Sequence, residues 1–170
     1  KAMRVIGERL QQMFDANSGI EILIQGQQAK RELLERFREG SSQGRAACVL
    51  VASASFWEGV DVPGDELALV VIDKLPFPPP NDPLVEARSK RLEAQGRSAF
   101  NDYFVPEACV ALKQGAGRLI RRETDVGVLM ICDTRLTQMG YGRRILASLP
   151  PMRLLQSDDD LKQTLMMQMA

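Results

Sequence analysis

Ala46-Ala-Cys-Val-Leu-Val-Ala52 carries no charge, and Ser53-Ala-Ser-Phe-Trp-Glu-Gly-Val-Asp-Val-Pro-Gly64 follows it directly. A short apolar run closed by small and turn-forming residues predicts a buried strand that hands its loop to one end of a sheet. Three other short runs are predominantly apolar and read as strands too: Ile20 to Ile24, Leu67 to Ile72 and Val126 to Cys132. Amphipathic stretches separate them. Met3 to Ala16 places Val5, Ile6, Leu10, Met13 and Phe14 at helical spacing, and Gln28 to Arg38 sets Leu33, Leu34 and Phe37 on one side. Leu84 to Ala94, Phe100 to Ile120 (with Pro106 in a first turn) and Tyr141 to Leu149 read as further helices. Pro76 to Pro83 is too rich in proline for a helix or a central strand. The tail closes on a helix whose start suits Asp158 to Asp160, and its Met166, Met167 and Met169 read as packing residues. Buried strands alternating with amphipathic helices predict an α/β fold, a parallel sheet with helices on both faces. Ligands in such folds gather where the strands finish, and Ser53 to Gly64 and Asp133 to Arg135 both follow directly on a strand.

Composition narrows the function classes. The 170 residues are 45% apolar, enough for one globular domain. Positive and negative side chains balance at 22 each, so any grip on nucleic acid must come from a local patch. No run of about 18 apolar residues exists to span a membrane. There is no histidine, which removes the commonest general base and metal ligand. Cys48, Cys109 and Cys132 fall in apolar runs without paired spacing. They read as buried small hydrophobes rather than disulfides or a metal site, and a four-cysteine cluster cannot be built from three. A reducing cytoplasm fits.

Gln114-Gly-Ala-Gly-Arg-Leu-Ile-Arg-Arg122 carries the sharpest chemistry. On a continuous helix Arg118 and Arg121 share one face a turn apart, with Gln114 on the same side. Two planar, permanently charged forks suit a polyphosphate. A lone Arg-x-x-Arg is otherwise a solvated basic turn. Gly115 and Gly117 weigh against that reading, because each costs about 1 kcal/mol against alanine inside a helix. Neither a complete Gly-x-x-x-x-Gly-Lys-Ser/Thr loop nor an Asp-Glu magnesium pair accompanies them; Gly40 to Arg45 only mimics the former. The arginines therefore imply a phosphate cradle supplied from elsewhere.

The loop after Ala52 is the second constellation. Ser53 and Ser55 are short hydroxyl donors at a strand tip, able to meet a nucleic-acid phosphate. Asp61 could accept from a ribose hydroxyl. From these residues alone, a serine-capped helix start with Trp57 packed on the sheet is the readier reading.

Taken together, Ser-Phe-Trp-Glu-Gly-Val-Asp-Val-Pro-Gly64 and Gln-x-x-Gly-Arg-x-x-Arg121 resemble motifs V and VI of superfamily 2 helicases, most closely the XPD/DinG group with its DinG- and YoaA-like members. Lys74-Leu-Pro-Phe-Pro-Pro-Pro-Asn-Asp-Pro83 and Ile131-Cys-Asp-Thr-Arg135 are similar to theirs as well, so the likeness covers roughly residues 20 to 150. It implies a single RecA-like helicase C-terminal domain over residues 1–170, cut from a larger helicase, with a motif IV strand expected upstream of Lys1. It implies that Arg121 is the arginine finger at the γ-phosphate, that Arg118 is its partner, and that Gln114 couples nucleotide to nucleic acid. Gly59, Asp61, Glu58 and Gly117 are implied near the nucleotide, although Glu58 stands where many RNA helicases carry arginine. Ser53 and Ser55 are implied on single-stranded DNA.

The same resemblance implies ATP and Mg2+ held mainly by a first RecA-like domain, and an iron–sulfur cluster, if one exists, in another domain. The expected partners are single-stranded DNA and that first domain of the same polypeptide, with no membrane contact, in a monomeric cytoplasmic 5′→3′ helicase. Alone, the chain is expected to be inactive. A non-catalytic nucleic-acid or protein-docking module of the same fold, and half of a sugar-nucleotide transferase, are the alternatives.

Overall fold

The computed structural model describes residues 2–14, 17–40, 47–56, 67–119 and 126–168, with the backbone alone at Ser55 and Gln168. The chain is a mixture of helices and parallel strands in two compact units, residues 1–66 and 67–170.

In the first unit α1 (Ala2–Met13) leads to β1 (Ile20–Ile24), then α2 (Lys30–Arg38) leads to β2 (Ala47–Val51). β1 and β2 pair in parallel, with Ile20 opposite Ala47 and Ile24 opposite Val51. Parallel pairing needs a crossover, and α2 supplies it. Leu23, Leu33, Leu34 and Phe56 form the buried cluster, with Phe37, Cys48, Leu50 and Ala52 packed against it. Leu33, Leu34 and Phe37 are the residues whose spacing marked the inner face of the helix. Gly7 is buried in α1 because a Cβ there would lie 2.8 Å from Ile24 Cγ1. That glycine lets α1 sit close on the end of β1.

The second unit pairs β3 (Leu69–Ile72) with β4 (Val128–Ile131), again in parallel. Between them lie α3 (Pro83–Ala94), a π-helical turn (Phe100–Phe104) and α4 (Val105–Ala116). After β4 come α5 (Arg135–Gln138), α6 (Gly142–Ala147) and α7 (Asp158–Gln168). Asp82 caps α3 by accepting from the amides of Leu84 and Val85, and Pro83 occupies the first turn, where no amide is needed. Val105, Ala108, Leu112, Ala116 and Leu119 are all fully buried. Their spacing of three and four residues is one stripe down α4 and its exit, and Ile145 of α6 is equally buried.

The sequence reading locates all four strands to within two residues of their ends and gives the parallel pairing correctly. Four expectations change. The helix expected over residues 100–120 begins as a π-turn, with the Val105 amide donating to the Phe100 carbonyl. Pro106 follows at once, and a residue without an amide favours such a widened turn. At the other end α4 stops at Ala116. Cys132 lies one residue past β4 and is exposed, whereas Cys48 and Cys109 are half-buried. Met166 and Met167 are exposed on α7 rather than packed, while Met169 lies outside the described residues.

Candidate functional site

Three groups of site residues were expected, and the structure treats them differently. Gln114 stands on the last turn of α4, exposed, opposite the buried stripe of Leu112 and Ala116. Gly115 is buried and Gly117 caps the helix. Beyond it the hydrogen bonding tightens to three-residue spacing, Arg118 N–H to Gly115 O at 3.2 Å and Leu119 N–H to Ala116 O at 3.0 Å. Arg118 therefore stands in a turn past the helix rather than on a helical ridge, and it is half-buried. Among the described residues, a Cβ on Gly117 would meet the Lys113 carbonyl oxygen at 3.2 Å and that of Gln114 at 3.6 Å. Among them, its bareness serves the tight exit of the helix.

Leu119 is fully buried and lies against Gly127, where a Cβ would come within 3.1 Å of Leu119 Cβ. Gly127 immediately precedes β4. The arginine segment thus leaves α4 beside the starting end of β4, not beside the end where that strand finishes, because α4 returns the chain to where the strand begins. Arg121 lies outside the described residues, and so do Glu58, Gly59 and Asp61. Gly117 and Arg118 are the described members of the phosphate set, with Gln114 one turn before Arg118.

Ser53 follows β2 by two residues and is exposed. Its amide and its Oγ both donate to Gln25 Oε1, at 2.7 and 2.8 Å. Two donors converging on one acceptor oxygen is the pattern a phosphate oxygen also satisfies. Ser55 lies in the short 3-10 turn Ala54–Phe56 that the Phe56 amide closes onto the Ser53 carbonyl. Sequence reading missed Gln25. It stands directly after β1, the same position relative to its strand that marked the other loops. Gly26 follows with φ +93°, a left-handed conformation that favours glycine, and turns the chain sharply there. Arg4, Glu8, Ile24, Gln25, Gly26 and Gln27 line a shallow polar hollow of about 260 Å³ at this end of β1.

Asp133 is the most constrained group described. Its side chain is only 7% exposed. It accepts from the Leu75 amide at 2.9 Å, from the Arg135 amide at 3.0 Å, and from Arg135 Nε and Nη2 at 2.9 and 2.6 Å. Arg135, first among these contacts, holds the carboxyl far below the usual carboxylate range; burial opposes the shift and the two amides add to it. The pair ties the exit of β3 to the exit of β4 and fixes the Arg135 guanidinium 5.5 Å from the centre of the Phe77 ring. Among the described residues, no group of three His, Cys, Asp or Glu converges to hold a metal ion. Among them also, no helix is long and apolar enough to cross a membrane.

Residues 1–152 match the family described as the helicase C-terminal domain. The chain belongs to that family. It is 51% identical over 141 residues to the ATP-dependent DNA helicase YoaA of Haemophilus influenzae, a match covering 83% of this chain and 21% of that protein. The corresponding figures for YoaA of Escherichia coli are 50% over 142 residues, 84% and 22%. For the ATP-dependent helicase DinG of Mycobacterium tuberculosis they are 43% over 130 residues, 76% and 19%. The motif resemblance is borne out: this is a superfamily 2 helicase C-terminal region of the DinG- and YoaA-like kind, an α/β chain with parallel strands. It spans about a fifth of the length of the curated relatives it matches.

Proposed function

We propose that this chain is the second motor domain of an ATP-dependent 5′→3′ DNA helicase, a single RecA-like domain that acts only in company with a first one. Membership of the helicase C-terminal family, spread over residues 1–152, is the observation that carries the reading. The paired donors of Ser53 at the exit of β2 support it.

ATP and Mg2+ are held mainly by the first domain. Arg121 reaches the γ-phosphate and stabilises the charge that develops as the phosphoryl group transfers, a role worth about 10³ to 10⁵ in rate. Arg118 anchors the finger or shares the phosphates, while Gly59, Asp61, Glu58 and Gly117 border the nucleotide. Gln114 relays the nucleotide state to the nucleic acid. Ser53 exchanges Gln25 for a phosphate of single-stranded DNA, and Ser55 assists from the next turn. The grip ignores sequence and weakens with salt. A monomer working in the cytoplasm, with any iron–sulfur cluster in another domain, completes the reading.

The test is Arg121→Ala in the complete protein. DNA-stimulated ATP hydrolysis should fall by about 10³. Activity within about threefold of wild type removes the finger assignment. If the Arg118→Ala/Arg121→Ala pair also leaves function untouched, a docking module of the same fold takes its place.

A further inference from the structure

Five aromatic rings gather in the second unit, contributed by segments far apart in the chain. Phe77 comes from the proline-rich loop after β3, Phe100, Tyr103 and Phe104 from the π-turn, and Tyr141 from the turn before α6. Phe77, Phe100 and Tyr141 form a triangle with ring centres 5.8, 5.7 and 5.2 Å apart. Phe100 also stacks on Phe104 at 6.5 Å, with the planes 21° apart. A set of rings serving only as core would be closed to water. Phe100 instead leaves 43% of its surface exposed, although three other rings fix its position.

Guanidinium groups rim the rings. Arg135 lies over Phe77, and Arg88 lies 5.5 Å from the centre of Tyr103. Arg144 Nη1 donates to the Asn101 carbonyl in the π-turn at 3.0 Å. Two carboxylates join the set and each is engaged by an arginine, Asp133 by Arg135 and Asp102 by Arg97. Among the described residues, Arg88 and Arg144 also stand at the rings, and neither contact is to a carboxylate. Arg135 remains 46% exposed even though Asp133 fixes its direction.

A rigid exposed ring bordered by fixed positive charge matches one chemistry above others: an unstacked base whose flanking phosphates are anionic. Any base offers a π-face to such a ring, but only when the strand is single, because in a duplex those faces are already covered. We propose that Phe100, seated on Phe77 and Tyr141, is a stacking platform for a base of single-stranded nucleic acid, with Arg135 and Arg144 taking the adjoining phosphates. This rests on the motor reading and adds to it a base-contacting site within this domain. Asp133 is a positioning residue, acting through Arg135.

The experiment uses the complete protein and two labelled oligomers of about 15 nucleotides, one oligothymidylate and one abasic, in fluorescence anisotropy at fixed salt. Wild type should prefer the thymidylate. Phe100→Ala should weaken thymidylate binding about tenfold and leave abasic binding nearly unchanged. Arg135→Ala should weaken both and lower the salt slope by about one. Phe100→Trp should keep the preference, and its emission should be quenched by the thymidylate beyond the change seen in wild type. An unaltered thymidylate-to-abasic ratio in Phe100→Ala overturns the platform, and would leave a protein-facing surface as the role of the ring. If Phe100→Ala does not fold, absence of quenching in Phe100→Trp overturns it instead. Should either result accompany intact DNA-stimulated hydrolysis that Arg121→Ala abolishes, the motor reading stands and only the platform falls. If wild type binds neither oligomer and hydrolyses no ATP, both fall.

Discussion

The exits of the two strand pairs solve the same problem with different chemistry. In the first unit a neutral amide oxygen, Gln25 Oε1 after β1, receives the Ser53 amide and hydroxyl after β2. In the second a largely enclosed carboxylate, Asp133 after β4, receives the Leu75 amide after β3 and clamps Arg135. A neutral, exposed hydrogen bond contributes little net stability, because water replaces it readily. A hydrogen-bonded charge held out of water is much harder to exchange. The first tie is suited to letting go of its donors for a ligand. The second is suited to holding a side chain still while a ligand arrives.

The largest effect expected from this contrast is on the second tie. Asp133→Ala removes an acceptor from the Leu75 amide, whose residue is buried, and releases Arg135. A loss of about 2 kcal/mol is expected, roughly thirtyfold in local exchange protection. Hydrogen–deuterium exchange of the peptide covering residues 69–77 in the complete protein measures it. Protection equal to wild type would mean the tie is incidental.

Acid separates the two ties by sign. The Asp133 carboxyl is depressed in the folded protein, so its stabilisation is fully present above the unfolded aspartate value of about 4. It fades as pH falls below that value toward the folded one. The gap in protection between wild type and Asp133→Asn should therefore narrow below about pH 4. The gap between wild type and Gln25→Ala should not, since that amide does not titrate. Parallel behaviour of the two variants in acid would break the contrast.

How far these ties were legible in the sequence follows from how local their signals are. Ile20 to Ile24 matches β1 at both ends because a run that is apolar apart from Glu21 is bounded sharply by Ser18-Gly19 and Gln25-Gly26. The crossover of α2 and the buried stripe of α4 were equally readable, since period and burial agree there. The π-turn was not, because five residues at helical spacing look the same whether a turn closes on the fourth or the fifth. Nor is the stop at Ala116, because Gly115 and Gly117 inside a helical pattern do not by themselves announce the tightened exit that follows Ala116. Gln25, and the meeting of Phe77, Phe100 and Tyr141, depend on contacts between residues far apart in sequence, which periodicity does not encode. Asp133 to Arg135 was noticed for its place after a strand, but its largely enclosed clamp belongs to tertiary structure.

The smallest effect expected is on the first tie. Gln25→Ala should cost about 0.5–1 kcal/mol locally, a few-fold in exchange protection around residues 47–56, because Ser53 is exposed and water takes the vacated place. Its consequence for binding should have the opposite sign. With Gln25 gone, the Ser53 amide and hydroxyl no longer leave a protein acceptor to reach a phosphate, so affinity for single-stranded DNA should stay level or rise slightly, by about twofold at most. Ser53→Ala, which removes the hydroxyl from both partners, should lower affinity by a few-fold. Opposite signs for neighbours in one hydrogen-bonded pair distinguish a donor lent to a ligand from a donor that only braces the strand end. If Gln25→Ala and Ser53→Ala weaken DNA binding alike, the first tie is a fixed brace like the second, and the contrast between the two exits is one of strength alone.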